Sequence, residues 1–255
     1  MGKYLEYLVA KNLLRQINTR PDKYMLIHYS SSNSQGNEYP SISSISLMKY
    51  DNKDRMQFSI AKYIQLEKTV EDAEKRLLTS FWRYIERISE NVTFIHWNMN
   101  SETFGFEAIA NRTRILLGVK CDQSKHLKKI DLDDLLGQLY SDEYIQHPKM
   151  YKLYELNKMT IHDFAKGKQE AEWFNKEEWY KISKASSAKV SFIYETLRRA
   201  GRSQLTVENK FLNKSLLFKD CLKYVINETL WGRFIFWFTV TLIGSLISIF
   251  LEKLF

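Results

Sequence analysis

Apolar residues recur at Leu5, Leu8, Val9, Leu13 and Ile17, the spacing of a helix that buries one face. The Thr19-Arg20-Pro21 break ends that helix. "KYMLIHYS" then reads as a buried strand, Ser30 to Asn37 as a Ser/Asn/Gly loop, and "ISSISLMKY" with "RMQFSIAKYI" as a hairpin turning at Asp51-Asn52-Lys53. The set Leu66, Val70, Ala73, Leu77, Phe81, Ile85 and Ile88 predicts a long amphipathic helix whose apolar side packs most simply on the hairpin. "NVTFIHWN" predicts one more strand, "SETFGFEAIANRTRILL" the helix after it, and "GVKCDQSKHLKK" a charged loop. Helical periodicity follows over Leu132 to Tyr140, Pro148 to Lys158, Ile161 to Ser183 and Ala185 to Ala200, with Pro148 suited to a first helical turn.

These patterns predict an α+β fold: a small hairpin or mixed sheet packed with helices in the N-terminal half, then a helical C-terminal half and one C-terminal transmembrane helix. The chain divides into 1–120, an α+β cytoplasmic domain, and 121–205, a helical cytoplasmic region. A juxtamembrane stalk occupies 206–232 and the membrane helix 233–255. In the stalk, Phe211, Phe218 and Val225 recur every seven residues, a spacing that suits packing on copies of the same helix or on the body.

The membrane reading rests on "RFIFWFTVTLIGSLISIFLEKLF", in which no charge falls between Phe234 and Leu251. Eighteen helical residues rise about 27 Å, close to the roughly 30 Å hydrocarbon core of a bilayer. Charge distribution adds an orientation. The net charge is +8, but residues 1–180 are nearly balanced, whereas residues 181–232 hold ten Lys and Arg against four Asp and Glu. Basic residues before a membrane helix mark its cytoplasmic side and attract anionic lipid headgroups. Two widely separated cysteines, Cys121 and Cys221, suggest neither a disulfide framework nor a zinc site.

Candidate chemistry is sparse. Five scattered histidines and the lack of HExxH, GxSxG or a phosphate-binding loop predict a protein that is not an enzyme and carries no cofactor or metal. The densest polar cluster is "FIHWNMNSETFGFEAIANRTR". His96, Trp97, Asn98 and Asn100 at a strand-to-helix turn, with Arg112 and Arg114 beyond, suit an anionic or nucleotide ligand. A structural role outweighs a ligand site here: Ser101 or Thr103 caps the helix, the aromatics fill the core and His96 is a buried imidazole. Asp131 to Asp134 suggests metal-dependent nuclease chemistry but reads better as the solvated first turn of a helix. Arg198, Arg199 and Arg202 end a helix, where they suit its dipole, ring an anionic ligand between subunits or lie on lipid phosphates. In the membrane run, Thr241, Gly244, Ser245 and Ser248 form a small, hydroxylic face for close helix packing or for lining a pore.

Two segments, "FIHWNMNSETFGFEAIANR" and "IDLDDLLGQLYSDEYIQHPKMYKLYELNKMTIHDFAKGKQEAEWF", followed by the terminal apolar helix, resemble transmembrane effectors of bacterial antiphage defence, closest to the Hailong type. The resemblance covers about a third of the chain. It implies a homo-oligomeric effector of the bacterial inner membrane, controlled by an oligonucleotide from a nucleotidyltransferase partner, that permeabilises or depolarises the infected cell. It supplies no catalytic motif. A membrane-anchored scaffold and a membrane-tethered nuclease are the alternatives.

Overall fold

The computed structural model describes residues 3–32, 40–100, 104–119, 122–209 and 212–252. Helix α1 (Lys3–Thr19) buries Ala10, Leu14 and Ile17 and ends before Pro21. Strand β1 (Tyr24–Ser31) pairs antiparallel with β2 (Ile42–Lys49), and β2 pairs antiparallel with β3 (Arg55–Ser59). Lys53, at φ 62°, supplies the left-handed turn between them. Beyond Ser59 the expected strand becomes the short helix α2 (Ile60–Tyr63). Helix α3 (Val70–Ile88) begins four residues later than the apolar spacing predicts, because the Thr69 hydroxyl accepts the Asp72 N–H and fixes the N-cap there. Most of the predicted Ser/Asn/Gly loop, residues 33–39, lies outside the described residues.

Strand β4 (Thr93–His96) runs parallel to β1 on the side away from β2, and α4 (Phe106–Leu117) returns across the sheet. The segment read as a charged loop contains a strand, β5 (Lys129–Asp131), parallel to β4. Three residues, Lys-Ile-Asp, are too few for strand periodicity to register. The mixed sheet therefore has five strands in the order β3-β2-β1-β4-β5. Helices α5 (Leu132–Leu139), α6 (Lys149–Leu156), α7 (Gly167–Asn175) and α8 (Trp179–Gly201) follow. Pro148 is the N-cap of α6 rather than part of its first turn. The expected break near Lys184 instead falls at Lys176 to Glu178, where Glu177 adopts φ 55°.

Each sheet face has its own apolar layer. Met25, Ile27 and Tyr29 of β1 join Ile45, Leu47, Phe58 and Phe94 beneath α3 and α4. On the other face Leu26, Met48 and Ile95 meet α1, α5 and α8 through Leu14, Leu136, Phe192 and Ile193. Ser44 and Ser46 of β2 also lie on this second face, and Gln57 of β3 donates to the Ser183 carbonyl at 2.6 Å. Small residues of α8, Ala185, Ser186 and Ala188, are buried there, which lets the helix axis approach the strands. Helix α9 (Leu212–Glu228) rests on the start of α1, and α10 (Leu230–Glu252) follows it. Leu230–Ser248 is long and apolar enough to cross a membrane, and only 6% of it is buried within the protein.

Candidate functional site at the carboxyl edge of the parallel strands

The chain leaves β1 toward β2 and β3 on one side and later places β4 and β5 on the other. Such a reversal opens a crevice at the carboxyl ends of the strands on either side of it, the preferred ligand position in sheets with parallel strands. Two polar groups stand at that edge, one on each face of the sheet.

The first is built from β4, β5 and α5. His96 ends β4 in register with Asp131, the last residue of β5. The chain then turns through Asn98 at φ 50°, a left-handed conformation that asparagine tolerates. That turn directs the Asn98 N–H to Asp131 Oδ1 at 3.1 Å and the Asn98 side-chain amide to Asp133 Oδ2 at 3.0 Å. Asn100 Nδ2 donates to Asp131 Oδ2 at 2.7 Å. Asp131 is also the N-cap of α5, accepting the Asp133 N–H at 2.9 Å. Asp133 accepts the Tyr144 hydroxyl at 2.6 Å and pairs with Lys149 at 3.1 Å. The first turn of α5 is therefore buried at Asp131 and Asp133, not solvated as the sequence suggests.

Burial shapes the electrostatics. The Asp131 carboxyl is pushed up to about 6 by burial, only partly offset by the Asn98 N–H. His96 Nδ1 lies 3.6 Å from Asp131 Oδ2 and accepts the Met99 N–H at 3.3 Å. Burial, then the Lys129 charge, pull this imidazole down to about 4. It is neutral at pH 7, with its proton on Nε2, which is buried without a hydrogen-bond partner.

The second group lies at the end of β1. Ser30 Oγ donates to Glu170 Oε2 of α7 at 2.8 Å, and Lys189 of α8 forms a buried ion pair with the same carboxylate. His28, two residues back on the same face, is held far below its ordinary pKa by burial and by Lys189. Among the described residues, no three His, Cys, Asp or Glu side chains stand at metal-ligating spacing.

The predicted site residues separate. His96, Asn98 and Asn100 belong to the first group. Trp97 packs edge-on against Phe192 at 5.2 Å in the core, leaving no face for base stacking. Arg112 is bound to Glu74 at 2.8 Å and to Ser41 at 2.9 Å, bridging α4 to α3 and the start of β2. Arg114 is exposed in the last turn of α4. Arg198 pairs with Glu195, Arg199 donates to the Asn157 carbonyl at 2.7 Å, and Arg202 ends α8. These three lie at the other end of α8, where Arg198 and Arg202 stand near Tyr50, whose N–H reaches the Tyr24 carbonyl at the start of β1. Ser101 and Thr103 lie outside the described residues, and Gly105 is the N-cap of α4. In α10, Thr241 donates to the Trp237 carbonyl and Ser245 to the Thr241 carbonyl, so both hydroxyls are satisfied within their own helix. Gly244 has open space where a Cβ would stand. Ser248 lies in the exposed stretch of the helix.

Sequence reasoning missed Ser30, Glu170, Tyr144, Lys149 and Lys189. They stand in separate segments that only the sheet brings together, and no spacing announces them.

No family model and no curated protein matches the chain, so the resemblance to defence effectors rests on its two quoted segments alone. Among solved structures, the crystal structure of the Aedes aegypti Nibbler EXO domain matches with a TM-score of 0.40 and 10% identity, over 83% of this chain and 91% of that one. That protein is an exonuclease domain. This finding corrects two expectations, that the chain is not an enzyme and that it is a membrane-permeabilising effector. A likeness this low assigns no role to any residue.

Proposed function

We propose that this chain is a membrane-tethered nuclease whose substrate enters the crevice at the carboxyl ends of β1, β4 and β5. The observation that carries the reading is the buried Asp131 carboxylate, held by the Asn98 N–H and the Asn100 amide at the reversal point of the sheet. A carboxylate with a pKa of about 6 is ionised at neutral pH yet basic enough to take a proton from water. In phosphodiester hydrolysis that water attacks phosphorus, the bond to the leaving sugar oxygen breaks, and the proton held by Asp131 is returned to the leaving oxygen. The Asn98 N–H and the Asn100 amide position the carboxylate, and Lys129 adds positive potential for the phosphate.

The apolar helix α10 anchors the enzyme, and the excess of lysine and arginine in residues 181–232 supports a cytoplasmic body, in a bacterium at the inner membrane. The test uses full-length protein in nanodiscs with end-labelled single-stranded RNA and DNA. Cleavage is expected, falling at least about 100-fold in Asp131→Asn, the scale of a lost general base. Asn also serves as an N-cap, so α5 keeps its start. Absence of cleavage on every nucleic acid, or full activity in Asp131→Asn, overturns the proposal.

A further inference from the structure

Among its described side chains, helix α9 meets the body through Asp220 and Tyr224, which face the start of α1. Asp220 accepts the Lys3 N–H at 3.0 Å, and the Tyr224 ring lies 5.8 Å from that of Tyr4. Another side carries Phe218, Leu222 and Val225, spaced by four and three and exposed by 70%, 52% and 39%. Lys219 and Lys223 are exposed beside this strip.

Two features of the chain indicate what covers it. Only Thr229 separates α9 from α10, so the end of α9 stands where the apolar helix begins. The two helices are also not collinear. A Cβ on Gly232 would fall 1.9 Å from the Val225 carbonyl oxygen, whereas residues seven apart on a straight helix are separated by about 10.5 Å along its axis. Thr229 Oγ1 accepts the Gly232 N–H at 3.0 Å, and Arg233 Nε reaches back to the Asn227 carbonyl at 2.7 Å, closing the bend. A helix that bends sharply before crossing the bilayer is free to lie along its surface.

We infer that α9 docks on an anionic bilayer surface, with the Phe218, Leu222 and Val225 strip in the acyl boundary and Lys219 and Lys223 against lipid phosphates. The lysines match the charge of those headgroups, and a covalently attached membrane helix holds the strip at the right depth. This docking is independent of any cleavage chemistry.

The full chain, with Cys121→Ser and Cys221→Ser, receives single cysteines by Phe218→Cys, Leu222→Cys, Val225→Cys or Asn227→Cys. Each is labelled with an environment-sensitive fluorophore and reconstituted into phosphatidylcholine vesicles with or without phosphatidylglycerol. Iodide quenching at the three strip positions is expected to be several-fold weaker than at Asn227, with the protection strengthened by phosphatidylglycerol and reduced by Lys219→Glu with Lys223→Glu. Equal quenching at all four positions overturns the inference. So does protection that appears in detergent and disappears on dilution, which assigns the strip to a second copy of the chain.

Discussion

At the residue scale, the His96–Asp131 contact joins two groups whose titrations oppose each other. His96, lowered to about 4 from an ordinary value near 6.5, contributes stability that is present at neutral pH and lost as pH falls through that window. Asp131, raised to about 6, contributes stability present below about 4 and lost as pH rises to 6. Between pH 4 and 6 the two slopes have opposite sign and largely cancel. Asp131→Asn removes one of them, so the variant should lose about 2–3 kcal/mol more than the parent on acidification from pH 6 to 4. Denaturant midpoints across that range test this, and parallel pH profiles for the two proteins refute it. The Lys189–Glu170 pair gives a second test. Lys189→Met leaves a buried carboxylate with only the Ser30 hydroxyl as a neutral donor, at an expected cost of about 3–5 kcal/mol. Adding Glu170→Gln removes the stranded charge while keeping an acceptor for Ser30, and should restore most of the loss. If the double variant is as unstable as the single, the pair is not what that corner of the fold depends on.

At the element scale, legibility followed length and periodicity. Helix α3 and the β2–β3 hairpin are plain in the sequence because each carries a full amphipathic period or a recognisable turn. Strand β5 is not, since three residues present no period and its place beside β4 depends on a distant partner. The start of α8 was missed for a different reason: apolar spacing runs through Glu177, and only the left-handed backbone there stops the preceding helix. The candidate site was half legible. His96, Asn98 and Asn100 form one sequence cluster, and Asp131 and Asp133 another, but nothing local joins them until His96 and Asp131 fall into register. The bend between α9 and α10 is an element-scale property set by one glycine. Gly232→Ala drives a methyl group into the Val225 carbonyl, a backbone atom that cannot rotate away. The junction should therefore straighten, lengthening the distance between spin labels at Cys221 and Leu242→Cys toward the roughly 32 Å of a continuous helix. An unchanged distance means that Gly232 does not set the bend.

At the scale of the whole molecule, the body and α10 are held together by different solvents. The body buries an apolar layer on each face of its sheet, and among the described residues neither layer includes one of α10. Phe234, Ile235, Trp237, Phe238 and Ile247 are instead largely exposed, an arrangement that water opposes and lipid favours. Twelve Leu, Ile, Phe and Val residues between Phe234 and Leu251 contribute on the order of 4–7 kcal/mol to insertion at about 0.3–0.6 kcal/mol each. The hydroxyls of Thr239, Thr241 and Ser245 cost little against this, because each bonds to a carbonyl one turn back. Full-length protein should therefore stay with the membrane through alkaline carbonate washing. Removal of residues 230–255 should release a body that unfolds within a few degrees of the parent, since no core contact is lost. Recovery of the full-length chain in the soluble extract, or a truncated body that fails to fold, would mean that α10 packs on protein rather than lipid, and the tether on which the proposed placement of the active centre depends would be gone.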